Sequence, residues 1–356
     1  MIRTLFAAAA LLAPASALAS AQPEGEAGWS IIVHGGAGVI ECGMMDEATE
    51  AAYRAALHTA LETGGAMLAE GASGVDVVEA VIRVLEDDPM FNAGRGAVFT
   101  AEGRVELDAS IMVGDTRAAG AVAGVTGVRH PISLARAVME HSPHVMLIGD
   151  GAESFAADQG LETAEQSHFF TERRWQGLER QLERLGLPVP ARPEGAPDPE
   201  PIREGALDIM EREHRFGTVG VVVRDASGAT IAGTSTGGTT AKRWGRVGDT
   251  PIIGAGTWAD ESCGLSATGT GEYFIRFNVA ATICHEAQRL TGTHGNRDAA
   301  QAAADAMMER LEADGGDGGI VMLFAGEPVW AMNTPGMYRA SWGQGRAPYI
   351  AIYEDE

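Results

Sequence analysis

His214-Arg215-Phe216-Gly217-Thr218-Val219-Gly220-Val221-Val222-Val223 is the decisive stretch of this 356-residue chain. Its β-branched run reads as a buried strand, and a hydroxyl residue directly after a glycine stands at the head of that strand. If the Gly217–Thr218 bond were cut, Thr218 would carry a nucleophilic hydroxyl and a free α-amine, and so would supply its own general base. A threonine opening a strand is ordinarily there for β-propensity alone. The neighbouring blocks therefore decide the reading.

Downstream come Thr234-Ser235-Thr236-Gly237-Gly238, Gly245-Arg246-Val247-Gly248-Asp249-Thr250-Pro251, Gly254-Ala255-Gly256 and Ala267-Thr268-Gly269-Thr270-Gly271-Glu272. Upstream stand His34-Gly35-Gly36-Ala37-Gly38, Leu85-Glu86-Asp87-Asp88-Pro89-Met90-Phe91-Asn92-Ala93-Gly94 and Glu106-Leu107-Asp108-Ala109. In this order the blocks resemble the plant-type asparaginase and isoaspartyl peptidase family of N-terminal-nucleophile hydrolases. The resemblance runs over nearly the whole chain after its first residues. It implies an α+β fold, the four-layer αββα sandwich.

Composition bounds the rest. The 45% hydrophobic content is enough for a substantial core, and acidic residues outnumber basic ones 49 to 26, a formal charge of −23. Such a charge repels phosphate backbones and anionic membrane surfaces, so neither nucleic acid nor membrane is an expected partner. Met1-Ile2-Arg3-Thr4, the apolar run through Leu12 and the small residues of Ala17-Leu18-Ala19-Ser20-Ala21 predict a secretory signal over residues 1–21. The run is too short to span a bilayer, and the mature protein is expected to be periplasmic or secreted. Export would place the chain in an oxidising compartment. Yet Cys42, Cys263 and Cys284 are odd in number and widely spaced, and they are expected to be buried small hydrophobes, with a Cys263–Cys284 bridge as the alternative. The nine histidines show no metal-site spacing.

Periodicity predicts a strand over 29–34, helices over 47–70 (with Asp46 as N-cap) and 75–86, and strands over 105–112, 119–125 and 145–148. Helices are predicted near 133–140 and 171–185. The proline-rich, acidic stretch 188–201 is read as a mobile linker within residues 187–216. Beyond it, strands are predicted over 218–224 and 230–235, helices over 273–290 and 297–314, and closing strands near 319–324 and 328–333. Strands grouped around paired helical blocks suggest sheet on sheet with helices outside. The resemblance divides this single domain into an α subunit, residues 22–217, and a β subunit, residues 218–356.

It also implies the chemistry. Thr218 Oγ1 would attack the Gly217 carbonyl, form an ester by N→O acyl shift and lose it to water, leaving an α-amine with an ordinary pKa of about 7.7–8.0. Glycine at 217 would tolerate a strained backbone there. Thr236 matches the threonine that holds the nucleophile's hydroxyl, and the Thr268 hydroxyl and Gly269 N–H match the oxyanion donors. Arg246 would take the substrate α-carboxylate and Asp249 its α-ammonium, whereas Arg-x-x-Asp on its own is an ordinary surface ion pair. Asn92 would face the active site. Residues 85–95 resemble a sodium-binding loop, with main-chain ligands from Leu85, Glu86, Asp88, Phe91, Ala93 and Arg95. No cofactor is expected in catalysis. The implied substrates are L-asparagine and β-aspartyl dipeptides, and the implied assembly is an (αβ)2 heterotetramer.

Three alternatives compete with this reading. Glycosylasparaginases resemble Asp-Thr-Ile-Gly and Thr-Ser-Thr-Asn-Gly at the positions where this chain has Gly217-Thr218-Val219-Gly220 and ends its threonine block in Gly237-Gly238. Threonine aspartases of the taspase type lack a counterpart of Asp249. An exported amino-acid-binding protein could use Arg246 and Asp249, but would give Thr218, Thr236 and Thr268 no reason to coexist. One departure from the family is Trp244, expected to narrow or extend the leaving-group side of the pocket.

Overall fold

The computed structural model describes residues 28–197, 217–294 and 296–356. The predicted signal segment and the linker beyond residue 197 lie outside the described residues.

A strand buried on both faces must lie between two other layers. The stretch after Thr218 is such a strand, with five of its six residues buried. In chain order the strands are β1 (Ser30–Gly38), β2 (Leu107–Val113), β3 (Ala119–Val125), β4 (Met146–Ile148), β5 (Val219–Arg224) and β6 (Thr230–Thr236). Then follow β7 (Thr257–Ala259), β8 (Cys263–Gly269), β9 (Gly318–Phe324), β10 (Glu327–Met332), β11 (Gly336–Gly343) and β12 (Tyr349–Tyr353). The described helices are α1 (Glu47–Ala69), α2 (Gly74–Asp87), α3 (Pro131–His141), α4 (Gly149–Asp158), α5 (Gln166–Phe169), α6 (Glu172–Leu185), α7 (Gly271–Phe277), α8 (Val279–His294) and α9 (Asn296–Ala313). None of them is long and apolar enough to cross a membrane.

Eight strands form one sheet in the order β12-β11-β1-β5-β6-β2-β3-β4, and four form a second, β10-β9-β8-β7. Alternate residues along each strand enter different cores. Val219, Val221 and Val223 of β5 pack with α1, α2 and α3 residues, whereas Val222 joins Ile32, Met112, Val321 and Leu323 between the two sheets. Leu265, Ala267, Ile320 and Met322 of the small sheet turn the other way, onto α8 and α9. Three separate cores make four layers, and the αββα order follows.

Local chemistry sets the helix ends. Asp46 caps α1 by accepting from Thr49 N at 2.7 Å, and Ser73 caps α2 by accepting from Asp76 N at 3.2 Å. Gly186 ends α6 in the left-handed conformation, where glycine carries no Cβ penalty. The single helix predicted over 273–290 is two, α7 and α8, because Asn278 adopts φ +48° between them.

The cysteine expectation needs correction. Cys263 and Cys284 are bridged, joining the first residue of β8 to α8 across their shared core, and Cys42 is exposed rather than buried. Their 21-residue separation gave no sign that strand and helix would face one another. The described part of the proline-rich segment is also anchored. Arg192 bonds both carboxylate oxygens of Glu172, at 2.6 and 2.8 Å, and lies over the rings of Phe170 and Trp175. Proline excludes ladders and helix interiors, but not an extended chain pinned by one stacked arginine.

Candidate active site

Antiparallel pairing sets Val219 opposite Ser235 and Asp108 opposite Thr236. Thr218, Thr236 and Asp108 consequently share one row across β5, β6 and β2, on the face turned toward the small sheet. Thr218 Oγ1 donates to Thr236 Oγ1 at 3.0 Å, which also accepts from Gly238 N at 3.0 Å. Thr218 is buried, and the chain before it is closely packed. A Cβ at Gly36 (φ +113°) would stand 2.7 Å from Gly217 Cα, and one at Gly217 would stand 2.9 Å from Asn92 Cβ. Crowding is thus a visible reason for glycine at 217.

Asn92 braces this corner. Its Nδ2 donates to Gly238 O at 2.8 Å, its Oδ1 accepts from Val98 N at 2.9 Å and its carbonyl accepts from Gly237 N at 3.0 Å. From the small sheet, β8 brings Thr268, fully buried, whose Oγ1 accepts from Ala37 N at 3.4 Å. Gly269 ends the same strand. The sequence Thr-Gly-Thr-Gly is therefore strand followed by helix start, not an isolated turn.

The charged residues form the adjoining side. Arg246 binds Glu272 in a fork, Nε and Nη2 each donating at 3.0 Å, so one edge of the guanidinium is already engaged. Its Nη1 lies beside Gly238. Asp249 is buried with Oδ2 unpartnered, and burial pushes its carboxyl up to about 7 against the pull of Arg246. Asp108 accepts from Gly124 N at 2.9 Å through Oδ1 while its Oδ2 is unpartnered, and burial raises its pKa too. Lys242, buried close by, donates to Glu106 O at 2.8 Å; burial lowers its pKa, and Asp108 opposes that shift. Trp244 is 89% exposed at φ +63°, with the Arg243 guanidinium stacked on its ring.

The loop after α2 turns sharply. A Cβ at Gly94 (φ +49°) would overlap the Glu86 carbonyl, and Phe91 N and Gly96 N donate to the carbonyls of Asp88 and Ala93 at 3.3 and 3.1 Å. A carbonyl has a second lone pair, so these bonds leave the loop's oxygens able to ligate a hard cation. Glu86 itself is buried, accepts from Ser235 Oγ at 2.6 Å and Ile132 N at 3.1 Å, and is pushed up to about 8 by burial. Among the described residues no three His, Cys, Asp or Glu side chains converge as a metal site.

A model of the asparaginase family matches residues 27–352. The chain belongs to that family. It is 42% identical over 333 residues to the isoaspartyl peptidase of Escherichia coli K12, covering 92% of this chain and 96% of that protein. It is 40% identical to the plant-type L-asparaginase of Pyrococcus abyssi, over 89% of this chain and 97% of the relative. With the isoaspartyl peptidase/L-asparaginase of Rattus norvegicus it shares 37% identity, over 90% and 85%.

Within this asparaginase-family chain, sequence reasoning named the hydroxyl and charge pairs but gave no role to Lys242, Asp108 or Glu272. The nearness of Lys242 and Asp108 depends on the β2–β6 register, which no local pattern reveals.

Proposed function

We propose that this protein hydrolyses β-aspartyl dipeptides and L-asparagine, releasing aspartate, with Thr218 as nucleophile after self-cleavage at Gly217–Thr218. The observation that carries this reading is a bonded threonine pair beside a buried carboxylate, Asp249, with one oxygen left for a donor. An α-ammonium would satisfy that oxygen. Nη1 of Arg246 would take the α-carboxylate, Glu272 keeping the opposite edge of the guanidinium.

The zwitterionic end is then fixed, and the side-chain amide is presented to Thr218. The free α-amine takes the hydroxyl proton as Oγ1 bonds to the amide carbon, and the Thr268 hydroxyl and Gly269 N–H receive the oxyanion. Collapse expels the leaving amine, which takes the proton from the α-ammonium. Water then hydrolyses the aspartyl ester and frees Thr218. A sodium ion in the 85–95 loop would brace Asn92 and take no part in these steps. The Cys263–Cys284 bridge supports export, in keeping with the signal read over residues 1–21. The heterotetramer rests on the family resemblance alone.

Mass spectrometry of purified protein is the test. The expected result is a fragment beginning at Thr218, aspartate release from a β-aspartyl dipeptide, and an uncut, inactive Thr218→Ala variant. Efficient cutting of that variant at 217/218 would assign the cleavage to another protease.

A further inference from the structure

Behind the catalytic row lies a second row, one pleat deeper. Pairing places His34 opposite Gly220, Gly220 opposite Thr234 and Thr234 opposite Ser110, so these four residues cross β1, β5, β6 and β2 in line. Each is two residues from the catalytic layer along its strand: Gly220 follows Thr218, Thr234 precedes Thr236 and Ser110 follows Asp108. Two residues of strand amount to about 7 Å. The small sheet faces this row with Ser266 and Thr257, themselves a cross-strand pair.

The side chains meet in one unbroken series. His34 Nε2 is 2.8 Å from Ser266 Oγ, Ser266 Oγ is 2.7 Å from Thr234 Oγ1, and Thr234 Oγ1 is 2.5 Å from Thr257 Oγ1. Thr257 Oγ1 is 2.7 Å from Ser110 Oγ, and Ser110 Oγ donates to the Thr250 carbonyl at 2.6 Å. All five side chains are buried. Gly220 makes room for them, because a Cβ there would overlap both Ser266 Oγ and the His34 ring. One end of the series is an imidazole opposite Gly220, two residues along the strand from Thr218, with its Nδ1 buried and unpartnered; the other is the carbonyl of Thr250, next to Asp249.

A hydroxyl has a single proton to give, so the donor at one end biases the direction of the bonds along the series, against the pull of the Gly256 and Thr250 carbonyls that Thr234 and Thr257 also reach at 3.4 Å. With the proton on His34 Nε2, the bias is toward the Thr250 carbonyl. With it on Nδ1, the bias reverses, away from a Ser110 donor to Thr250.

We propose that this hydroxyl series is a positioning device that couples β1 and β6, the strands on either side of the Thr218 strand, to the loop carrying Asp249, linking ligand capture to alignment of Thr218. The proposal rests on the aspartyl-binding role given above to Asp249. Its residues touch no substrate; they act through Thr218 and Asp249, and a break anywhere interrupts the whole series.

The test uses processed, full-length enzyme with ¹⁵N-labelled histidine. Adding L-aspartate should shift the His34 ring nitrogens in the native protein but not in Thr257→Val, while Thr257→Ser restores the response. Ser110→Ala should move the same signals without any ligand, although Ser110 does not touch His34. In kinetics, Ser110→Ala and Ser266→Ala should each lower kcat/KM on a β-aspartyl dipeptide by about tenfold, and the double variant should be no worse than the poorer single one. Additive losses, or a His34 signal indifferent to Ser110→Ala, would overturn the proposal. Aspartate that fails to bind the native protein by calorimetry would instead overturn the aspartyl-binding assignment, and the ligand-free Ser110→Ala signal would still decide on the series.

Discussion

The Thr218 end and the Arg246 end of the site are built on opposite principles. Around Thr218 and Thr236 most groups are neutral, hydroxyls and amides bonded to one another at ordinary distances, with the carboxylate of Asp108 beside them in the same row. Around Arg246 the groups are charged, and Asp249 and Asp108 each keep a buried oxygen with no donor. A buried polar group without a partner costs about 1–3 kcal/mol, and more if charged. On the proposed reading, the Thr218 end has its side-chain bonds in place and needs only the α-amine that cleavage would release, whereas the Arg246 end keeps buried oxygens that a zwitterion would relieve.

Removing charge at the recognition end should therefore have a large effect. Arg246→Ala is expected to lower kcat/KM for β-aspartyl dipeptides by about 10²–10³-fold, since the charge-assisted contact to the α-carboxylate is lost. Cleavage at 217/218 should continue in that variant, because Arg246 touches neither Gly217 nor Thr218. Steady-state kinetics with a denaturing gel checks both, and a near-native kcat/KM would place the carboxylate anchor elsewhere.

Asp249 gives a smaller, pH-dependent effect. Its folded pKa, about 7, lies above the unfolded value, so the folded state binds the extra proton. Stability from that proton is fully present below the unfolded pKa of about 4 and is lost as pH rises through 7. Asp249→Asn should flatten the fall in Tm between pH 5 and 8. In the native enzyme KM should rise as pH drops below 7, because a neutral carboxyl attracts an ammonium poorly. An unchanged Tm profile in the variant would mean that Asp249 is already ionised at pH 5.

The smallest effect belongs far from either end. Arg192→Ala should cost about 0.5–1 kcal/mol through its stacking and its Glu172 pair, with kcat unchanged. Thermal melting beside an activity assay would show it. Loss of activity in step with Tm would tie the pinned segment to the site.

Legibility in the sequence follows the range of the forces involved. Helix α1 was readable with its cap, since Asp46 and the apolar stripe lie within a few residues of one another. Strand β3 was readable over its full length for the same reason. Strands β11 and β12 were not, because glycines and polar residues interrupt β11, which gains its burial from β1 beside it. Strand β8 was obscured by Thr268-Gly269-Thr270-Gly271, whose composition suggests a turn, while its ladder to β9 runs through Gly269. In the site, Thr218, Thr236, Arg246 and Asp249 stand in recognisable blocks. Lys242 with Asp108, and the hydroxyl series from His34 to Ser110, exist only once distant strands are in register.

The strand order of the large sheet has a consequence for reversibility. Strands β1 to β4 precede residue 217 and the rest follow it, so a cut there leaves two pieces that meet along three seams: β11 with β1, β1 with β5, and β6 with β2. Strand β1 lies between two strands of the other piece, and neither piece retains the eight-stranded sheet. The uncut chain can form this weave as a one-molecule reaction, independent of concentration. The cut pieces, once separated, would have to find each other first and then thread β1 between two neighbours. Cleavage would thus work as a ratchet, turning a fold reached by one chain into an assembly that two chains would struggle to rebuild.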